Sequence, residues 1–156
     1  MQSKLPSTPS SSPEILRATW RDIKELRNLE QACFSKDAWP LIDLIGVLSF
    51  AEVVRIKAMV NNRMVGFIAG DMRGSQDLAW IATLGVLPAY RRRGIGSMLL
   101  QACENALDIS QIRLSVRAKN LPALSLYRLH GYQRVGLWPD YYDDGTDAIV
   151  LEKHIQ

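Results

Sequence analysis

The sequence predicts a mixed α/β fold, one sheet with helices packed on it, and three patterns predict it. Residues 54–60 and 112–117 alternate apolar and polar side chains with the period of half-buried strands: Val54, Ile56, Ala58 and Val60, then Ile112, Leu114 and Val116. Ile95, Met98, Leu99, Ala102 and Ala106 recur at the 3.6-residue spacing of an amphipathic helix. Between these, an apolar run from Ile81 to Leu87 stops at Pro88 and gives way to a basic, glycine-bearing turn. At 156 residues the chain can build one such domain with a real core and is too short for two.

The elements follow in order. Residues 1–13 are Ser/Pro-rich with Lys4 as their one charge, and they hold no apolar core for a signal peptide. They are expected to be a disordered tail, leaving 14–156 as the domain. Glu14 to Thr19 reads as a first strand. Thr19 can cap a helix, with Asp22 in its acidic first turn and Ile23, Leu26, Leu29, Ala32 and Cys33 on its apolar stripe. Phe34 to Trp39 is a loop, and Pro40 opens a second helix to about Phe50. The second strand, 54–60, turns at Asn61-Asn62 into a third, 64–72, and Gly74-Ser75 turns the chain into a fourth, 78–87. The helix after the basic turn ends near Leu107, and strand 112–117 follows. Asn120 can cap a helix to Leu129 with Gly131 as its stop. Tyr132–Trp138 and Asp147–Lys153 are the last two strands, joined by a loop carrying Tyr141-Tyr142. The order is βααβββαβαββ, without repeats.

Composition bounds the function. The net charge of +3 is no more than Arg91, Arg92 and Arg93 supply, so the wide basic face of a nucleic-acid binder is not expected. No apolar run reaches membrane-spanning length. Cys33 and Cys103 lie far apart, without metal-ligand spacing to His130 or His154. They are expected as buried free thiols in a reducing, cytoplasmic compartment, with no metal.

The chemistry concentrates in Leu84-Gly85-Val86-Leu87-Pro88-Ala89-Tyr90-Arg91-Arg92-Arg93-Gly94-Ile95-Gly96-Ser97. The first N–H groups of a helix lack intrahelical partners, and the positive end of its dipole adds to them. Gly94 and Gly96 permit close backbone approach, and arginines add bidentate phosphate contacts. A P-loop needs a lysine after its glycines, and none follows here. A dinucleotide fingerprint needs a third glycine where Leu99 stands and an acid in the next strand, which has none.

What remains, Arg-x-x-Gly-x-Gly at Arg91, Gly94 and Gly96, resembles the acetyl-CoA pyrophosphate loop of the GNAT N-acetyltransferases. The element order resembles the GNAT acyl-CoA N-acyltransferase fold over residues 14–153. Ser115-Val116-Arg117-Ala118-Lys119-Asn120, then Ala123 to Tyr127, Gly131-Tyr132, Tyr141-Tyr142 and Asp147-Ala148 resemble the ribosomal-protein alanine N-acetyltransferases of the RimI type.

The resemblance implies a site. Leu84, Gly85 and Val86 would offer strand-edge backbone groups to the pantetheine arm and acetyl carbonyl of acetyl-CoA. Arg92, Arg93, Gly94, Ile95, Gly96 and Ser97 would hold the pyrophosphate, with Arg91 as the motif's first residue, and Asn120 would contact the coenzyme. Tyr127 would protonate the leaving thiolate. Tyr141 and Tyr142 would line the acceptor cleft, with Phe34 and Trp39 opposite. The chemistry is consistent with this: direct attack of an amine on a thioester gains from co-binding, oxyanion donors and a neutral proton donor.

One position departs. Where the subfamily is expected to carry a glutamate base, this chain has Ser115, which has no standing basicity. A protein α-amine, with a pKa of about 7.7–8.0, is partly neutral at physiological pH, whereas a lysine amine near 10.4 is almost wholly protonated. The expected activity is therefore acetyl transfer from acetyl-CoA to the N-terminal amine of a protein or peptide. Two alternatives stay open. One is the same chemistry on a polyamine, amino acid or aminoglycoside, and the other is a regulatory module that binds acyl-CoA without turnover.

Overall fold

Strand and helix order in the computed structural model is the expected one. The structure describes residues 12–72, 74 and 77–155, so the tail assigned to residues 1–13 falls outside it up to residue 11, as does Ser75 of the Gly74-Ser75 turn. The elements are β1 (Glu14–Arg17), α1 (Ile23–Phe34), α2 (Leu41–Ser49), β2 (Val53–Val60), β3 (Arg63–Asp71) and β4 (Leu78–Val86). After them come α3 (Ile95–Leu107), β5 (Gln111–Arg117), α4 (Leu121–Leu129), β6 (Gln133–Trp138) and β7 (Ala148–His154).

Three boundaries move, each for a local reason. β1 stops before Thr19 because the Thr19 N–H donates to the Asp22 carboxylate at 2.8 Å, bending residues 20–22 into a 3-10 turn ahead of α1. Pro40 precedes α2 instead of opening it, with ψ at 151° outside the helical region. β6 begins after Tyr132, whose N–H caps the end of α4 by donating to the Tyr127 carbonyl at 3.0 Å. The Asn61-Asn62 turn is as expected, both residues adopting positive φ, which the right-handed twist of a two-residue hairpin favours.

The strands form one sheet in the order β1-β2-β3-β4-β5-β7-β6. Every neighbouring pair is antiparallel except β4 and β5. In register, Phe67 of β3 faces Gly85 of β4 and Gly66 faces Val86, and side chains alternate between the two faces. A Cβ on Gly85 would meet Cys33 and Phe34 at 3.2 Å, so that face carries α1. A Cβ on Gly66 would meet Leu99 at 2.8 Å, so the other carries α3. α4 lies beside α3, with Leu126 at 3.3 Å from where a Gly96 Cβ would stand. The buried side chains of both layers include Leu26, Leu44, Phe67, Ile68, Leu99, Leu100, Ile112 and Leu114.

Glu104 of α3 joins the far end of the sheet. It accepts from the Tyr132 hydroxyl at 3.0 Å and from Lys153 Nζ of β7 at 2.9 Å. Of the two thiols, Cys103 is buried as expected, and burial pushes its pKa to about 12. Cys33 corrects the expectation of a buried thiol: it is only partly covered, because it sits on the rim of α1 within reach of Arg91.

Candidate active site

The feature that makes a site is a gap in the sheet. β4 and β5 pair only through Leu78–Trp80 and Gln111–Arg113, and beyond Trp80 the two strands part. Opposite that point β3 and β4 slip by one residue: Ala69 pairs with Thr83 and Gly70 with Ile81, leaving Ala82 as a bulge. A bulge bends its strand and increases local twist, which carries β4 away from β5. The opening is a cleft of about 270 Å³, with Ala82, Thr83 and Leu84 on one wall and Leu114, Ser115 and Val116 on the other.

Of the residues singled out in the sequence, Leu84, Ser115, Asn120, Tyr127, Tyr141, Tyr142, Phe34 and Trp39 all line this one cleft. Tyr127 enters it from α4. Its ring lies edge-on to Tyr132 at 5.7 Å, and burial, reinforced by Tyr142, pushes its pKa well up. It is therefore a neutral hydroxyl at any physiological pH, able to donate a proton. Asn120 is a helix cap, its side-chain oxygen accepting from the Ala123 N–H at 3.2 Å, and it faces the cleft as well. Ser115 is half-buried on β5, opposite Val150 of β7.

The basic loop adjoins the far end of β4. Gly94 has φ +80°, a left-handed conformation free of strain only for glycine, and it starts α3 with open space around it. Gly96 packs between Leu126 of α4 and Val86 of β4, so the helix start, the strand end and α4 converge. Arg92, Arg93 and Gly94 are exposed around that point. Arg91 is engaged differently: its Nε donates to the Val86 carbonyl at 3.0 Å, holding the end of β4 rather than reaching outward. Arg93 lies over the Tyr90 ring at 5.1 Å. Ser97 meets His130, the residue that caps the end of α4, Oγ to Nε2 at 3.0 Å, a partner the sequence gave no reason to single out.

The acceptor side holds an ion-pair cluster between residues far apart in the sequence. Arg117, at the end of β5, donates from Nε and Nη2 to both oxygens of Asp37, the latter bond at 2.8 Å, and from Nη1 to both oxygens of Asp144 at 3.0 Å. Its guanidinium also lies over the Tyr142 ring at 4.1 Å. Thr146 and then Arg117 hold the Asp144 carboxyl at about 2, below the usual carboxylate range. One arginine thus ties the loop before α2 to the loop bearing Tyr141 and Tyr142 across the mouth of the cleft. Aromatic contacts continue outward, Tyr142 to Tyr141 and Tyr141 to Trp138, both at 5.1 Å. Trp80 then stacks on Trp138 at 5.9 Å.

A further acid was missed. Glu30 of α1 is buried, 1% exposed, and its Oε1 accepts from the Thr83 hydroxyl at 2.8 Å. The signal was present, since position 30 falls on the helical stripe of Leu26, Leu29 and Cys33, where a carboxylate is out of place. Among the described residues no group of His, Cys, Asp and Glu is arranged to hold a metal ion, and no helix is long and apolar enough to cross a membrane.

Comparisons with known proteins bear on the family and the fold. A family model described as "Acetyltransferase (GNAT) family" matches residues 20–132. The N-alpha-acetyltransferase RimI of Mycobacterium tuberculosis is 33% identical over 94% of this chain and 96% of its own length. An uncharacterized protein of Mycobacterium leprae is 31% identical over 97% of this chain, which spans 44% of that longer protein. In structure, the ribosomal-protein-S18-alanine N-acetyltransferase from Escherichia coli superposes with a TM-score of 0.84. That match covers 93% of this chain and 95% of the other at 24% identity, a likeness of fold.

Proposed function

The chain belongs to the GNAT acetyltransferase family, and on that premise we propose that it moves acetyl from acetyl-CoA to the N-terminal α-amine of a protein or peptide, by direct attack in a ternary complex. The observation that carries this reading is the gap between β4 and β5, with Tyr127 inside it and Tyr141, Tyr142, Phe34 and Trp39 around its mouth. A cofactor arm laid along β4 would meet strand-edge backbone groups with no neighbouring strand, and the amide groups of pantetheine are suited to them. Its pyrophosphate would fall at the start of α3, where Arg92, Arg93 and the first helical N–H groups supply positive charge. The thioester would then stand in the cleft. Backbone N–H groups of Leu84 to Val86 would stabilise the oxyanion, and Tyr127 would give its proton to the departing sulfur.

The acceptor would enter from the opposite side, past the tyrosine loop. An α-amine suits this cleft better than a lysine amine, because about a fifth to a third of it is already neutral near pH 7.4 and Ser115 supplies no base. The name of the Mycobacterium tuberculosis relative, an N-alpha-acetyltransferase, supports the same acceptor class. The test is release of coenzyme thiol from acetyl-CoA with peptides of varied N-terminal residue, the same peptides with blocked N-termini and an internal lysine, and free polyamines. Turnover on the unblocked peptides alone is expected. Turnover confined to polyamines, or coenzyme binding with no turnover on any amine, would sink the reading.

A further inference from the structure

Buried carboxylates are seldom left half-satisfied, and Glu30 is one. Its Oε1 holds the Thr83 hydroxyl at 2.8 Å, while Oε2 is buried with no hydrogen-bond partner. The groups acting on it come from each side. Thr83 faces it from β4, the Trp39 backbone amide from the loop before α2, and Cys33 lies one turn along its own helix, where Glu30 raises the thiol pKa. Burial pushes the Glu30 carboxyl above the usual range; the Thr83 hydroxyl and the Trp39 amide only partly oppose this. Glu30 does not itself open on the cleft, but Thr83 and Trp39 both line it. Thr83 shares the α1-facing side of β4 with Gly85, two residues along the strand, which places its hydroxyl on the acceptor side.

We propose that Thr83 and Glu30 form the proton acceptor for the incoming amine, Thr83 touching the amine as the catalytic residue and Glu30 acting through it as a positioning and proton-holding residue. The inference rests on the acetyltransferase reading above. In the step, an ammonium N–H proton passes to a lone pair of Thr83 Oγ while the Thr83 hydroxyl proton passes to Glu30 Oε1. The ammonium becomes a neutral amine and the carboxylate a neutral acid, with Thr83 unchanged. The amine nitrogen then attacks the thioester carbon, the C–S bond breaks, sulfur takes its proton from Tyr127, and the nitrogen's second proton passes through solvent to the Tyr127 oxygen, leaving a neutral amide, a neutral thiol and a neutral tyrosine. The acid position vacant at Ser115 on β5 is in this way filled from the opposite wall of the cleft. A carboxyl raised toward the amine's own pKa is better matched to this exchange than an ordinary surface acid.

The test is the pH dependence of kcat, from pH 6 to 9.5, on the best amine found for the wild type. Glu30→Gln keeps an oxygen for the Thr83 hydroxyl but cannot hold the proton; Thr83→Val keeps the shape and removes the relay. Both are expected to lose about 15- to 30-fold in kcat at pH 6.5, where an α-amine of pKa about 7.7–8.0 is only a few per cent neutral. Both should converge on the wild type at pH 9.5, where the amine is already neutral, with acetyl-CoA affinity unchanged throughout. Thr83→Ser should restore the wild-type profile. A loss equal at every pH, or no loss in either variant, would overturn the proposal. Should the wild type prefer a polyamine, the N-terminal reading fails; its amines, near pKa 10.4, are still mostly protonated at pH 9.5, so there the relay is decided by whether the variants' loss narrows as pH rises or stays constant.

Discussion

At the scale of single residues, Tyr127 and Arg117 do different work although both edge the same cleft. Tyr127 is buried, with its hydroxyl kept neutral by its surroundings. Tyr127→Phe removes one oxygen and leaves the packing against Tyr132 in place. It should lower kcat by about 10²-fold or more, the range for losing a general acid, while acetyl-CoA affinity measured by calorimetry stays within about twofold; an unchanged kcat would remove the acid from the mechanism. Arg117 forms a strap, with two carboxylates and a ring on one guanidinium, so its contribution lies in loop position rather than charge alone. Tyr127 was legible through the family resemblance that its spacing to Asn120 and Gly131 carries. The strap was not, because Asp37 and Arg117 are 80 residues apart and only the fold brings them together. Glu30 lies between these cases: its place on an apolar stripe was visible, but its partner Thr83 was not.

At the scale of elements, the strand–turn–helix unit of β4 and α3 was legible because it is local. The apolar run, the proline stop, the two glycines and the 3.6-residue period each act within a few residues. The structure adds that Arg91 is spent on the Val86 carbonyl and that Gly96 is hemmed in by Leu126. Gly96→Asp sits in the first turn of α3, where a carboxylate favours the helix, so the fold should survive. The added Cβ would stand 3.3 Å from Leu126, which must shift to admit it, and the carboxylate would bring negative charge to the proposed pyrophosphate site; together these should weaken acetyl-CoA binding more than about tenfold. Equilibrium titration with acetyl-CoA, alongside a thermal melt to check folding, measures it; unaltered affinity would displace the phosphate site from this loop.

At the scale of the whole molecule, strand number and order of elements could be read from periodicity, but the break in the sheet could not. It comes from a bulge at Ala82 and a parallel contact of three residue pairs, neither of which leaves a sequence pattern. The acceptor side is instead closed by electrostatics between distant loops, which predicts its acid behaviour. The Asp144 carboxyl, ordinarily at 3.8, is held at about 2 in the folded chain. A depressed carboxyl contributes fully above its unfolded value and loses that contribution as pH falls through the folded one. Protection of residues 140–147 from hydrogen exchange, relative to the intrinsic rate at each pH, should therefore hold down to about pH 4 and fall toward pH 2, before the β2–β4 core opens. Protection that falls already at pH 6 would mean that the Arg117 strap does not hold the loop.

The three-pair contact between β4 and β5 also carries a consequence for the lifetime of the protein. Past Trp80 the sheet lacks the ladder that would join its halves, so whatever occupies the gap serves as their missing rung. A coenzyme there would act as a keystone, and at a hundred times its Kd it would add about 2.7 kcal/mol to the folded state by mass action alone. Resistance to unfolding and proteolysis should then rise with coenzyme concentration, whether or not the coenzyme carries an acetyl group.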